Sequence, residues 1–160
     1  MKEILVPDEV YAYLEKIGEQ ERASVSDIVV KLVLNTMSQE EKVKALQAIS
    51  KEYIIRGREL EEKGALVESG EMYWRGLAFL MQTIAIKLGF EITSYQDYFS
   101  LIDYLSYKLN DGEIVKLFVN SERLHGEYHP RPQGESEFKF RVDNLFKLMK
   151  KLEKIADFSD

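Results

Sequence analysis

The stretch that most restricts the fold is residues 66–89, "LVESGEMYWRGLAFLMQTIAIKLG". Tyr73, Leu77, Leu80, Ile84 and Leu88 recur at three- and four-residue spacing, the mark of a helix with an apolar stripe. Trp74, Phe79, Met81 and Ile86 then fill its other faces. A helix that is apolar nearly all round belongs inside, covered by neighbours or by a second subunit. Gly70, Gly76, Ala78 and Ala85 lack bulk and let such neighbours come close. The run also carries Arg75 and Gln82, and it is too short and too polar to span a bilayer. Arg75 in such a helix needs a carboxylate or a pocket, because an unpaired buried cation is costly. The rest of the chain has to be arranged around this segment.

Helical patterns flank it on both sides. Residues 38–64 open with Ser38 and Glu41 as a capping box, set Val43, Leu46, Ile49, Tyr53 and Leu60 on one face, and stop at Gly64. Residues 94–112 begin with Ser94 and Asp97 as another capping box and close on "NDG". "EIVKLFVNSERLHGEY" places Ile114, Leu117, Phe118, Ser121 and Leu124 on one side. After "HPRPQG", Phe138, Val142, Leu145, Met149 and Leu152 form a last stripe. Short connections make neighbouring helices antiparallel, so residues 38–160 are expected to form an all-α, up-and-down antiparallel bundle.

Residues 1–37 read as a separate lead. "KEILVP" is a short β-type run ending at Pro7, and Asp8 then starts a helix that nears its end at Gly18. Ser24 and Asp27 make a capping box for a second helix. Strand, helix, turn, helix in so few residues resembles the ribbon-helix-helix family, in which two chains pair their strands. That resemblance implies a homodimer, and it offers a DNA-binding regulator as one function. The outward strand positions would be Glu3 and Leu5, which lack the usual donors for bases or phosphates. Acidic residues also outnumber Lys2, Lys16, Arg22 and Lys31 in the lead, a poor surface for a polyanion. The expected role of the lead is therefore structural, as a dimerisation handle or as an extra hairpin packed on the main domain, with dimerisation preferred.

The net charge of −6 gives no global field that would draw nucleic acid or anionic lipid. The absence of cysteine excludes disulfides and thiolate zinc sites. With no signal-peptide layout at the start, a cytoplasmic protein without membrane attachment is expected. No cofactor is implied.

A capped helix ending in "RGRELEEKGALVESGEMYWRGLAFLMQTIAIKLG", then a short helix, then "LH-x-x-Y" before a final helix, resembles the archaeal PaREP-type proteins. These are relatives of the HEPN (higher eukaryote and prokaryote nucleotide-binding) helical domains, and the resemblance covers about residues 38–157. It implies a dimeric helical protein associated with nucleotides or RNA. HEPN ribonucleases carry an Arg, four to six residues, then a His. Here Arg123, five residues and His129 fit that spacing. Such a pair implies metal-independent RNA cleavage, with imidazole as base for the 2′-OH and guanidinium as phosphate clamp. Tyr128 could stack on a base, and Arg75 and Arg131 could contact phosphate. Leu124 stands where active members carry a polar residue, and Arg131 where toxin members carry a tyrosine.

Two other readings of "SERLHGEYHPRPQ" stay open. His125 and His129 are four apart and would share a helix face suited to Zn²⁺, although Pro130 disfavours helix at His129. In the plain structural reading, His125 lies on the buried side of its helix as a hydrogen-bonded core residue. His129 and the prolines then only end one helix before the next.

Overall fold

The computed structural model describes residues 1–126, 129 and 134–158. The chain divides into two compact units, Met1–Ala45 and Leu46–Asp160. Among the described residues the regular structure is entirely helical, and no helix is long and apolar enough to cross a membrane.

In the first unit, α1 (Asp8–Glu21) starts directly after Pro7, whose φ of −57° is already close to the helical value. It ends at Arg22 in the left-handed conformation (φ 54°). The helix α2 (Val25–Leu34) carries the expected cap: Asp27 N donates to Ser24 Oγ at 3.1 Å and Ser24 N donates to the Asp27 carboxylate at 3.2 Å. Gly18 permits the tight turn between them, because a Cβ there would lie 2.6 Å from the Ala23 carbonyl oxygen. The strand expected over "KEILVP" does not form: residues 1–7 have no regular structure, and Ile4 and Leu5 are exposed. A strand is held by hydrogen bonds to a neighbouring strand, and the described residues supply none.

The division between units falls within α3 (Gln39–Glu62), which is followed by α4 (Leu66–Lys87), α5 (Tyr95–Leu109), α6 (Glu113–Glu122) and α7 (Glu135–Phe158). The capping boxes of Ser38 with Glu41 and Ser94 with Asp97 are present, and Gly64 and Gly89 sit at φ of +74° and +80° just past α3 and α4. In the second unit α4 is central, as its sequence requires: Tyr73, Trp74, Leu77, Met81 and Ile84 are all buried. The second half of α3 packs antiparallel on it at van der Waals limits. Ser50 Oγ donates to Gly76 O at 2.6 Å and Ser69 Oγ donates to Gly57 O at 2.7 Å. A Cβ on Gly57 would meet the Tyr73 ring at 2.7 Å.

The strictly up-and-down order does not hold throughout. Trp74 lies beside Tyr95, Gln82 donates to Tyr98 at 2.8 Å, and Phe90 lies beside Tyr104. These contacts advance together along the chain, so α5 runs in the same sense as α4. The link over residues 88–94 is long enough to return alongside a helix, at about 3.3 Å per residue when extended. The pairs α5–α6 and α6–α7 are antiparallel, set by Tyr95 with Glu122, Asn120 with Asn144 and Lys151 with Asp111. A cavity of about 630 Å³ opens where α3, α4 and α7 meet, lined in part by Arg58, Tyr73, Lys139, Asp143 and Phe146. Burial, followed by the hydrogen bond to Glu61, pushes the Tyr73 hydroxyl well above its usual titration range.

Candidate functional site

The site is built at the C-terminal end of α6. Ile114, Leu117, Phe118 and Ser121 bury one face of this helix, and Glu122, four residues after Phe118, lies on the same side. A carboxylate there must find donors, since an unpaired buried charge costs several kcal/mol. It finds two. Tyr95, at the start of α5, donates its hydroxyl to Oε1, and His129 Nε2 lies 2.7 Å from Oε2.

The helix ends at Glu122 rather than continuing to Tyr128. Short-range bonds from Leu124 N to Ser121 O and from His125 N to Glu122 O tighten the next turn. His125 and His129 therefore do not share one helix face as metal ligands would. They are still joined by the backbone bond from His129 N to His125 O at 2.9 Å. This turn brings His129 back over Glu122 and beside Arg123, whose Nη1 is 3.4 Å from His129 Nδ1. Nε2 faces the carboxylate and is the nitrogen placed to donate, while Nδ1 faces the guanidinium. Arg123 is exposed and His129 is partly so, whereas the Glu122 side chain is nearly enclosed.

A second carboxylate organises the other histidine. His125 is 7% exposed and its Nδ1 lies 2.9 Å from Glu71 Oε2, which also accepts from Gly126 N at 2.8 Å. Arg75 donates through Nε to Glu71 Oε1 at 3.2 Å and lies over the Tyr53 ring. Arg75 thus has the carboxylate that its position in α4 demanded. Burial works against the charge of Glu71, but the His125 hydrogen bond and charge, Gly126 N and Arg75 together hold its carboxyl below the usual range. His125 is the buried, hydrogen-bonded residue of the plain structural reading, stacked on Trp74.

Two sets of groups result. Glu122 gathers Tyr95 and His129, with Arg123 alongside, and Glu71 gathers His125, Gly126 N and Arg75. Tyr128 and Arg131 lie outside the described residues. Among the described residues, no group of three or more His, Asp and Glu is arranged to hold a metal ion.

Residues 45–149 match the family model of the archaeal PaREP1/PaREP8 proteins. The chain belongs to this family. No curated protein and no solved structure matches it. The PaREP match contains every residue of both sets, from Glu71 to His129, and leaves almost all of the first unit outside it.

Sequence reasoning did not assign Glu71 or Tyr95 a role. Two signals were available in this PaREP chain. Glu71 stands four residues before Arg75, ion-pair spacing on a helix, and Glu122 falls on the buried stripe of its helix. Tyr95 gave no such signal, because its partner is 27 residues away.

Proposed function

We propose that this PaREP protein is a cytoplasmic, HEPN-like, RNA- or nucleotide-associated protein whose phosphate-binding centre is Arg123 with His129. The observation that carries the reading is the approach of the exposed Arg123 guanidinium to within 3.4 Å of the His129 ring. Guanidinium binds phosphate by paired, charge-assisted hydrogen bonds, and His129 adds a second polar group at the same point. Fluorescence anisotropy with a labelled single-stranded RNA tests it. Binding that weakens with salt and is lost in Arg123→Ala is expected, and equal binding by wild type and Arg123→Ala sinks the reading.

A second reading, metal-independent RNA cleavage, is favoured by the bond between His129 and Glu122. A buried carboxylate fixing one imidazole nitrogen leaves the other basic and oriented, the arrangement a general base needs. With Arg123 swung onto a phosphate, His129 Nδ1 would take the 2′-OH proton as the 2′-oxygen bonds to phosphorus. The bond from phosphorus to the 5′-oxygen would break, with solvent protonating the departing oxygen, to leave a 2′,3′-cyclic phosphate. RNA cleavage with EDTA present, lost in His129→Ala, is the expected result. No cleavage by either protein removes catalysis and leaves the binding reading intact.

The proposal includes a homodimer formed through the first unit. Ile4, Leu5, Val10, Tyr11 and Tyr13 are exposed there, an apolar set suited to cover by a second copy. Light scattering is expected to give a dimer for wild type and a monomer for Val10→Glu/Tyr13→Glu. A wild-type monomer at high concentration would exclude the dimer.

A further inference from the structure

The antiparallel seam between α6 and α7 has a register fixed by three contacts. Lys151 bridges Asp111 at 2.7 Å and Glu113 at 2.9 Å at one end, and Asn120 Nδ2 meets Asn144 Oδ1 at 3.5 Å midway. With Asn120 opposite Asn144, the antiparallel register sets Lys116 opposite Leu148 and Arg123 opposite Arg141, so Lys147 and Phe140 each lie one residue, about 1.5 Å of rise, from those levels. Lys116, Arg123, Phe140 and Lys147 are all exposed, Phe140 to 56%. From Lys116 to Arg123 the seam is about 10 Å long, at 1.5 Å per helical residue.

The charge along this strip is lopsided for a chain of net charge −6. Lys151 is shared by Asp111 and Glu113, which leaves one negative charge at that end of the seam, and Glu137 is paired with Arg141. The exposed Asp143 lines the cavity at α3 and α4, on a different flank of α7. Among the described residues neither Lys116 nor Lys147 makes an ion pair. The strip therefore offers cations at both ends, an amide pair between them and, one residue from the level of Arg123 in this register, an exposed aromatic ring.

We infer that single-stranded RNA lies along the α6–α7 seam, with backbone phosphates on Lys116, Lys147 and Arg123 and an unpaired base stacked on Phe140. The inference rests on the RNA reading of Arg123 and extends it to a track. A positively charged groove combined with an exposed aromatic is the device by which single strands are held without sequence readout. Asn120 and Asn144 supply donors and acceptors for base edges or 2′-hydroxyls. The seam is short beside the roughly 16 base pairs that a duplex-binding surface covers, and a base on Phe140 must be unpaired.

The test is anisotropy of the full chain with a short fluorescein-labelled 2′-O-methyl oligouridylate, which resists cleavage, so catalysis does not enter. Lys116→Glu/Lys147→Glu is expected to weaken binding about tenfold or more and to reduce the salt slope by about 1.4 for two lost phosphate contacts. Phe140→Ala is expected to weaken it roughly fivefold or more with the slope unchanged. Circular dichroism melting shows whether each variant is folded, and Lys116→Ala serves if the double variant is not. Wild-type-like binding by both the lysine and the Phe140 variants overturns the seam. If Arg123→Ala alone abolishes binding, the phosphate centre stands without it. Equal competition by polyglutamate also overturns the inference, since the strip would then be reading charge alone.

Discussion

His125 lies flat on Trp74, with ring centroids 5.2 Å apart and 15° between the planes, while its Nδ1 reaches the Glu71 carboxylate. The imidazole is thus both a packing element between α4 and the turn after α6 and the donor that keeps a buried carboxylate charged. That double duty takes it out of the exposed chemistry and leaves His129 as the histidine able to meet a ligand.

Replacing His125 by Ala removes the stacked ring and one partner of Glu71 together. The expected cost is about 2–4 kcal/mol, combining a core truncation with an under-satisfied carboxylate. Urea denaturation measures it, and His125→Gln, which keeps a donor but not the ring, should fall between.

Glu71 makes stability depend on acid. Its folded carboxyl is held below the ordinary value of 4.5, so the unfolded chain takes up its proton first as pH falls. The stabilisation is complete above 4.5 and is lost as pH drops through the lower, folded value. The difference in urea midpoint between wild type and Glu71→Gln should be largest near neutrality and should close below that point.

Gly57 and Tyr73 allow no Cβ between α3 and α4. Gly57→Ala gains about 1 kcal/mol of helix propensity. It must, however, push against a ring that is itself buried, which costs about 1–3 kcal/mol or more. Net destabilisation is expected. Gly70→Ala should be milder, because its nearest contact, at 3.2 Å, is the flexible end of Leu124. Thermal melting separates the two.

Tyr95→Phe keeps the aromatic packing on Trp74 but withdraws a donor from the buried Glu122. A hydrogen bond to a charged group is worth about 1.5–3 kcal/mol, and a loss of that size is expected by denaturation. If His129 acts as a base, the same variant should also slow cleavage, since the carboxylate that orients the ring is itself less firmly held.

Much of this was legible along the chain because it is local. The capping boxes at Ser24, Ser38 and Ser94 use groups three residues apart, and the burial of α4 follows from apolar residues on every face. Arg75's need for a carboxylate and the placing of His125 on a buried face were likewise set by helical spacing. The strand expected over residues 2–7 failed because β structure needs a partner that the pattern itself does not name. The direction of α5 failed because a seven-residue link permits either sense.

The amino-acid sequence by itself determined the helices from Asp8 onward and the burial of residues 66–87, since helix periodicity and capping act within one or two turns. Only the tertiary structure decided that Arg123 and His129 meet, that Glu122 and Tyr95 hold His129, and that Glu71 takes His125 from 54 residues away. Those choices depend on which carboxylates are buried beside which donors, and burial is fixed by the packing of distant helices.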